Sequence, residues 1–196
     1  MISLRTAGKA AIAGAIGAGA LFAAAGPAFA HPDDPNITSE QRVKQADELS
    51  KQFTKLSEKD HSAVVPLPVL QAIAETDSGY DAGKQFGDKR GLYQLTPEDI
   101  MQFGTDGDGD GKVDAFNYAD NTATAVNKAA NIHKELKDAK AYPSDFREAG
   151  KVFVHAWSSG TKATVKAVES GNDIQENKVI AETADFLVKQ NLYKVQ

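Results

Sequence analysis

The chain has 196 residues and a formal charge of −5, with 41% hydrophobic and 25% charged residues. That balance excludes a mainly disordered chain, and the acidic surplus argues against nucleic acid as a partner, because phosphate contacts need basic patches. No cysteine is present, so there is no disulfide framework, no thiolate metal site and no cysteine nucleophile.

The first thirty residues differ from the rest. Arg5 and Lys9 make a positive start, Ala10 to Ala25 is an apolar run of small residues, and Pro27 precedes Ala28-Phe29-Ala30. This is the layout of a signal peptide with a small-x-small cleavage site after Ala30. An extracytoplasmic protein, in the cell wall or periplasm, is therefore expected. The alternative is an uncleaved anchor, although a spanning helix usually needs about 20 strongly apolar residues. Residues 31–196 suffice for one domain with a real core.

His31 to Asn36 reads as a polar leader. Thr38 and Gln41 have capping-box spacing, and Val43, Ala46, Leu49, Phe53 and Leu56 form the stripe of an amphipathic helix. Ser57 to Val65 is a linker, so residues 31–65 stand apart from a main domain over 66–196.

The main domain opens on the helix around which the chain is organised, Val69 to Tyr80. Pro66 and Pro68 suit its first turn and Gly79 its end. At about 100° per residue, Val69, Leu70, Ile73 and Ala74 share one face, Asp77 falls in the middle of it, and Glu75 lies opposite. Burial and the negative end of the helix dipole would both raise the pKa of an inward Asp77, as a general acid requires. From this helix alone it stays open that Asp77 merely leads into the Ser78-Gly79 turn.

Asp81 to Arg90 reads as a polar loop, with a short hairpin at most between Phe86 and Leu95. Thr96 and Pro97 start a short helix that ends near Gly104. After a glycine-aspartate loop, Asp120 or Asn121 could cap a helix with the stripe Ala123, Val126, Ala130, His133 and Leu136. Tyr142-Pro143-Ser144 breaks it. Phe146, Ala149, Phe153, Ala156 and Trp157 mark the next helix, stopped at Gly160, and a short one through Val165 and Val168 ends at Gly171. A last helix carries Ile174, Ile180, Ala184, Leu187 and Val188. The domain reads as mainly α.

Asp106 to Asn117 has the spacing of an EF-hand-like calcium loop. Asp106, Asp108 and Asp110 would supply oxygens at positions one, three and five. Gly111 makes the turn at six, the Lys112 carbonyl serves at seven, and Asp114 serves at nine. Asn117 takes position twelve in place of a bidentate glutamate, which weakens the site. Extracellular loops often bind only at about 10⁻⁴ to 10⁻³ M, so weakness does not exclude occupancy. The rival reading is a flexible acidic turn, in which three alternating aspartates would repel one another.

Other chemistries fit poorly. His31, His61, His133 and His155 show no paired ligand spacing, and His133 sits on an apolar stripe as a core residue would. No Gly-x-Ser-x-Gly elbow or phosphate-cradling loop is present.

Three stretches resemble the lysozyme-like transglycosylase domain of soluble lytic murein transglycosylases. They are Asp77-Ser78-Gly79-Tyr80, Gly91-Leu92-Tyr93-Gln94-Leu95-Thr96-Pro97 and Ala156-Trp157-Ser158-Ser159-Gly160. The Asp-Gly-Asp-Gly-Asp-Gly run also looks like the calcium loop of membrane-bound lytic transglycosylase B-like members. The resemblance spans roughly Pro66 to Gly171.

What the resemblance implies is a mainly α, lysozyme-like domain that cuts the β-1,4 bond between N-acetylmuramic acid and N-acetylglucosamine in peptidoglycan. One carboxylate would act as acid and then base, without the second carboxylate of the usual scheme. Carried across, Asp77 is the catalytic residue, and Ser78, Tyr80, Tyr93, Gln94 and Trp157 bind the strand. The metal would be Ca²⁺, the partner peptidoglycan glycan strands, and the protein a monomer with no span left after signal cleavage. Asp77 stands where the family has glutamate, Trp157 where it has tyrosine, and Ser158 where it has asparagine. The alternatives are a degenerate relative that binds glycan strands without cutting, and a calcium-dependent exported interaction protein.

Overall fold

The computed structural model describes residues 67–172 and residue 174. The signal-like segment, the leader, the helix through Val43 to Leu56 and the last helix through Ile180 to Val188 lie outside the described residues.

Five helices and a two-stranded hairpin make up the described part, so it is mainly α. Helix α1 spans Leu67–Ser78. Strands β1 (Gln85–Phe86) and β2 (Lys89–Arg90) pair antiparallel, with Gln85 opposite Arg90 and Phe86 opposite Lys89. Helix α2 spans Pro97–Phe103, α3 Tyr118–Asp138, α4 Phe146–Ser159 and α5 Thr161–Glu169. The short hairpin allowed for between Phe86 and Leu95 thus forms, starting one residue earlier, within the polar stretch after α1.

The helix ends follow their residues. Thr96 caps α2 through a capping box: its hydroxyl accepts the Asp99 N–H, and the Asp99 carboxylate accepts the Thr96 N–H. Helix α3 is capped by Asn117, whose side chain accepts the N–H groups of Ala119 and Asp120. Asp120 and Asn121, the expected caps, instead sit inside the first turn with their side chains free for other work. That shift decides the chemistry below.

The 21-residue α3 is the hub and packs against α2, α4 and α5. Ala119, Ala123, Ala125, Ala129 and Ala130 are all buried along it, and such small side chains let neighbouring helices come close. Its Tyr118 and Leu136 join Leu70, Ile73, Leu92, Tyr93, Leu95 and Phe153 in one continuous apolar core. His133 belongs to it as expected: it is buried, stands edge-on to Tyr142, and burial lowers its pKa.

Candidate functional site

Helix α1 corrects one expectation. Val69, Leu70, Ile73 and Ala74 are buried and Glu75 is exposed, as the helical wheel requires, but Asp77 is exposed as well. The helix is enclosed over its first turns, where even Gln71 and Ala72 are buried, and at its end Ser78 and the following Tyr80 stay buried while Asp77 lies outside. Angular position therefore ceases to decide burial in the last turn. Ser78, not Asp77, faces inward there, and its hydroxyl donates to the Ala74 carbonyl at 2.8 Å. The burial that was to hold a proton on Asp77 is absent.

The expected strand-binding residues are mostly interior. Tyr80 is buried with φ 62°, and its hydroxyl donates to the Gln71 carbonyl at 3.1 Å. Tyr93 is 1% exposed and gives its N–H to the Asn121 Oδ1 at 3.0 Å. Gln94 is buried with φ 46°; its Nε2 donates to the carbonyls of Gly91 at 2.7 Å and Lys84 at 3.0 Å, while its Oε1 has no hydrogen-bond partner. These groups build the turn between Arg90 and Leu95, whose backbones exchange both hydrogen bonds at 2.9 Å.

Trp157 alone of the five is half-buried. Its ring lies near-parallel to Phe153, and the Lys128 ammonium stands 4.3 Å from its centroid. Lys128 also bonds the Asp99 carboxylate at 2.8 Å. Burial pushes its pKa below the usual lysine range, against the pull of Asp99. Helices α2, α3 and α4 are tied together at this point.

The aspartate loop is built differently. Asp106 accepts the N–H groups of Gly109 (2.7 Å) and Asp110 (3.2 Å) on Oδ1 and of Gly111 (2.8 Å) on Oδ2, so the backbone wraps around its carboxylate. Gly109 and Gly111 take the φ of 82° and 87° that this wrapping needs. Asp108 accepts the Asp110 N–H at 3.1 Å and the Asn117 side-chain amide at 2.8 Å. Asp110 accepts the Lys112 N–H at 2.8 Å, and Asp114 accepts the Phe116 N–H at 2.9 Å.

Oxygens of Asp106, Asp108 and Asp120 lie within 4.8 Å of one another, so the three carboxylates could hold a metal ion. Asp120 was not foreseen as a ligand. It sits three residues beyond the position a twelve-residue loop reserves for its last donor, where Asn117 is occupied as a helix cap. The usable signal was an acid in the first turn of α3, between Ala119 and Ala123 on the buried side. Asp120 is 2% exposed, and its oxygens accept the N–H groups of Gly107 and Asp114, each at 2.7 Å. Burial raises its pKa from 3.8 to about 6, the two N–H groups oppose that, and Asp108 and Asp106 add to it. Gly107 allows the approach: a Cβ there would stand 2.3 Å from the Ala119 carbonyl oxygen.

Compared with family models, curated proteins and solved structures, the chain matches none. Its chemistry therefore rests on these residues. Three converging carboxylates with no nitrogen or sulfur donor suit a hard cation, which would neutralise their mutual repulsion. Among the described residues no helix is long and apolar enough to cross a membrane.

Proposed function

We propose that the chain is an exported, calcium-clamped domain of the lysozyme-like transglycosylase type that binds peptidoglycan glycan strands without cutting them. One observation carries this reading. The first turn of α3 stitches together two of the three stretches in which the family resemblance lies and the aspartate loop. The Tyr118 hydroxyl donates to the Tyr80 carbonyl at 3.0 Å, behind the Asp77 motif. Asn121 bonds the Tyr93 N–H, within the Gly-Leu-Tyr-Gln turn, and the Ala115 carbonyl, at the exit of the aspartate loop. Motifs far apart in sequence are thus joined in one frame, with Asp77 on its wet side.

In that frame Asp106, Asp108 and Asp120 would hold Ca²⁺, which supplies positive charge and folding free energy rather than a reaction step. Binding without cutting is favoured because Asp77 is exposed rather than enclosed by the core. Its side chain is also shorter than the family's glutamate, and misplacement of about 1 Å can cost about 10²-fold in rate.

Cleavage is the second reading, favoured by the position of Asp77. It stands in the last turn of α1 beside Ser78 and is open to a polymer that could itself exclude water on binding. Digestion of purified cell walls by wild type, Asp77→Ala and Asp77→Glu separates the two. Binding reads as co-sedimentation with walls and no soluble muropeptide from wild type. Release of anhydro-muropeptides by wild type, lost in Asp77→Ala, would replace it with the enzyme.

A further inference from the structure

We propose that Asn121 is a positioning residue that makes the Gly91–Leu95 turn responsive to cation binding at the aspartate loop. The proposal rests on the cation reading of Asp106, Asp108 and Asp120. Asp120 and Asn121 are consecutive in the first turn of α3, so their side chains diverge by about 100°. Asp120 turns to the loop and Asn121 to the hairpin turn.

The Asn121 amide is 1% exposed and fully engaged. Its Oδ1 accepts the Tyr93 N–H at 3.0 Å, and its Nδ2 donates to the Ala115 carbonyl at 2.8 Å and the Arg90 carbonyl at 3.3 Å. Ala115 directly follows Asp114, whose N–H is held by Asp120. A short chain of bonds therefore runs from the carboxylate cluster through Asp114 and Ala115 to Asn121, and on to Arg90 and Tyr93.

Gly91 seals this joint. Its φ is 75°, and a Cβ there would stand 2.1 Å from the Ala115 carbonyl oxygen and 2.3 Å from the Asn121 Nδ2. The turn is closed by the paired Arg90–Leu95 bonds, so it shifts as a unit when its anchor shifts. Without a cation, three crowded carboxylates repel and the loop opens. Ala115 then withdraws, the Asn121 amide loses one of its two carbonyls, and the Tyr93 N–H loses a fixed acceptor.

The test is amide hydrogen exchange, residue by residue, in CaCl₂ and in EGTA. In wild type, Ca²⁺ slows exchange at Gly109, Gly111 and Tyr93, the last by about fivefold or more, the worth of one net hydrogen bond. Asn121→Asp keeps an acceptor for Tyr93 but cannot donate to Ala115 or Arg90. It is expected to keep Ca²⁺ protection at Gly109 and Gly111 while the Ca²⁺ effect at Tyr93 disappears, with Val154 in α4 as the check that the fold persists. Should Asn121→Asp lose Val154 protection, wild type alone still decides. Slowing at Gly109 and Gly111 with no change at Tyr93 overturns the coupling, as does an undiminished Ca²⁺ effect at Tyr93 in a folded Asn121→Asp. No Ca²⁺ effect at Gly109 and Gly111 in wild type overturns the cation reading beneath it.

Discussion

The aspartate loop and the end of α1 each carry acids that the sequence marks out, and the fold treats them in opposite ways. In the loop the Asp106 carboxylate is wrapped by backbone N–H groups, and the unforeseen Asp120, buried in the first turn of α3, accepts two more from the loop. At the end of α1, Asp77 is left exposed while its neighbour Ser78 turns inward. An acid is held in place when the backbone around it has donors to spare, as a glycine-rich loop and a helix N-terminus do. The C-terminal turn of a helix offers carbonyls instead.

The joint between the aspartate loop and the Arg90–Leu95 turn is the place to break the loop's support. Gly91→Ala forces a side chain onto φ 75° and into the Ala115 carbonyl. It is expected to destabilise the protein by about 3 kcal/mol or more, read by urea denaturation. A cost below about 1 kcal/mol would mean the loop and turn are not docked at Gly91.

Asp120 sharpens the contrast through pH. Its folded pKa of about 6 stands above 3.8, so the folded metal-free protein holds this proton more tightly than the unfolded chain does. Stability in EGTA should then fall as pH rises from 3.8 to about 6, by at most ~3 kcal/mol from this group. Ca²⁺ prefers the ionised carboxylate, so its affinity should rise through the same window and level off above it. Asp120→Asn should remove this contribution to the metal-free slope, as followed by melts across pH.

Metal removal comes next in size. At a concentration 100 times its Kd, Ca²⁺ should stabilise the chain by ~2.7 kcal/mol, and EGTA should reverse the shift in thermal melts. Asp77→Ala should be the mildest change, within about 0.5 kcal/mol, as expected of an exposed position. A cost of several kcal/mol there would make Asp77 a structural residue and weaken its reading as a surface group.

Much of the architecture was legible in local chemistry. Thr96-Pro97 announced α2, Gly160 ended α4, and the buried face of α1 followed from Val69, Leu70, Ile73 and Ala74. Asp77 lies outside the core although the wheel points it inward, because a wheel assigns direction, whereas burial depends on which neighbours cover each position. Tyr93 and Gln94, expected to line a groove, are buried instead: the Tyr93 N–H is held by Asn121 from across the fold, and the Gln94 amide braces its own left-handed turn. Asp120 escaped notice because its role depends on Asn117 taking the cap, which moves the last carboxylate one helical turn beyond the usual spacing.

The most direct test is calorimetric titration of Ca²⁺ into wild type, Asp120→Asn and Asn117→Ala at neutral pH. Asp120→Asn should lose more than about 100-fold in affinity, as befits a ligand, and Asn117→Ala should stay within about tenfold of wild type, as befits a supporting group. Asp120→Asn binding like wild type, with Asn117→Ala abolishing binding, would contradict the assignment of Asp120 as the third carboxylate of the site.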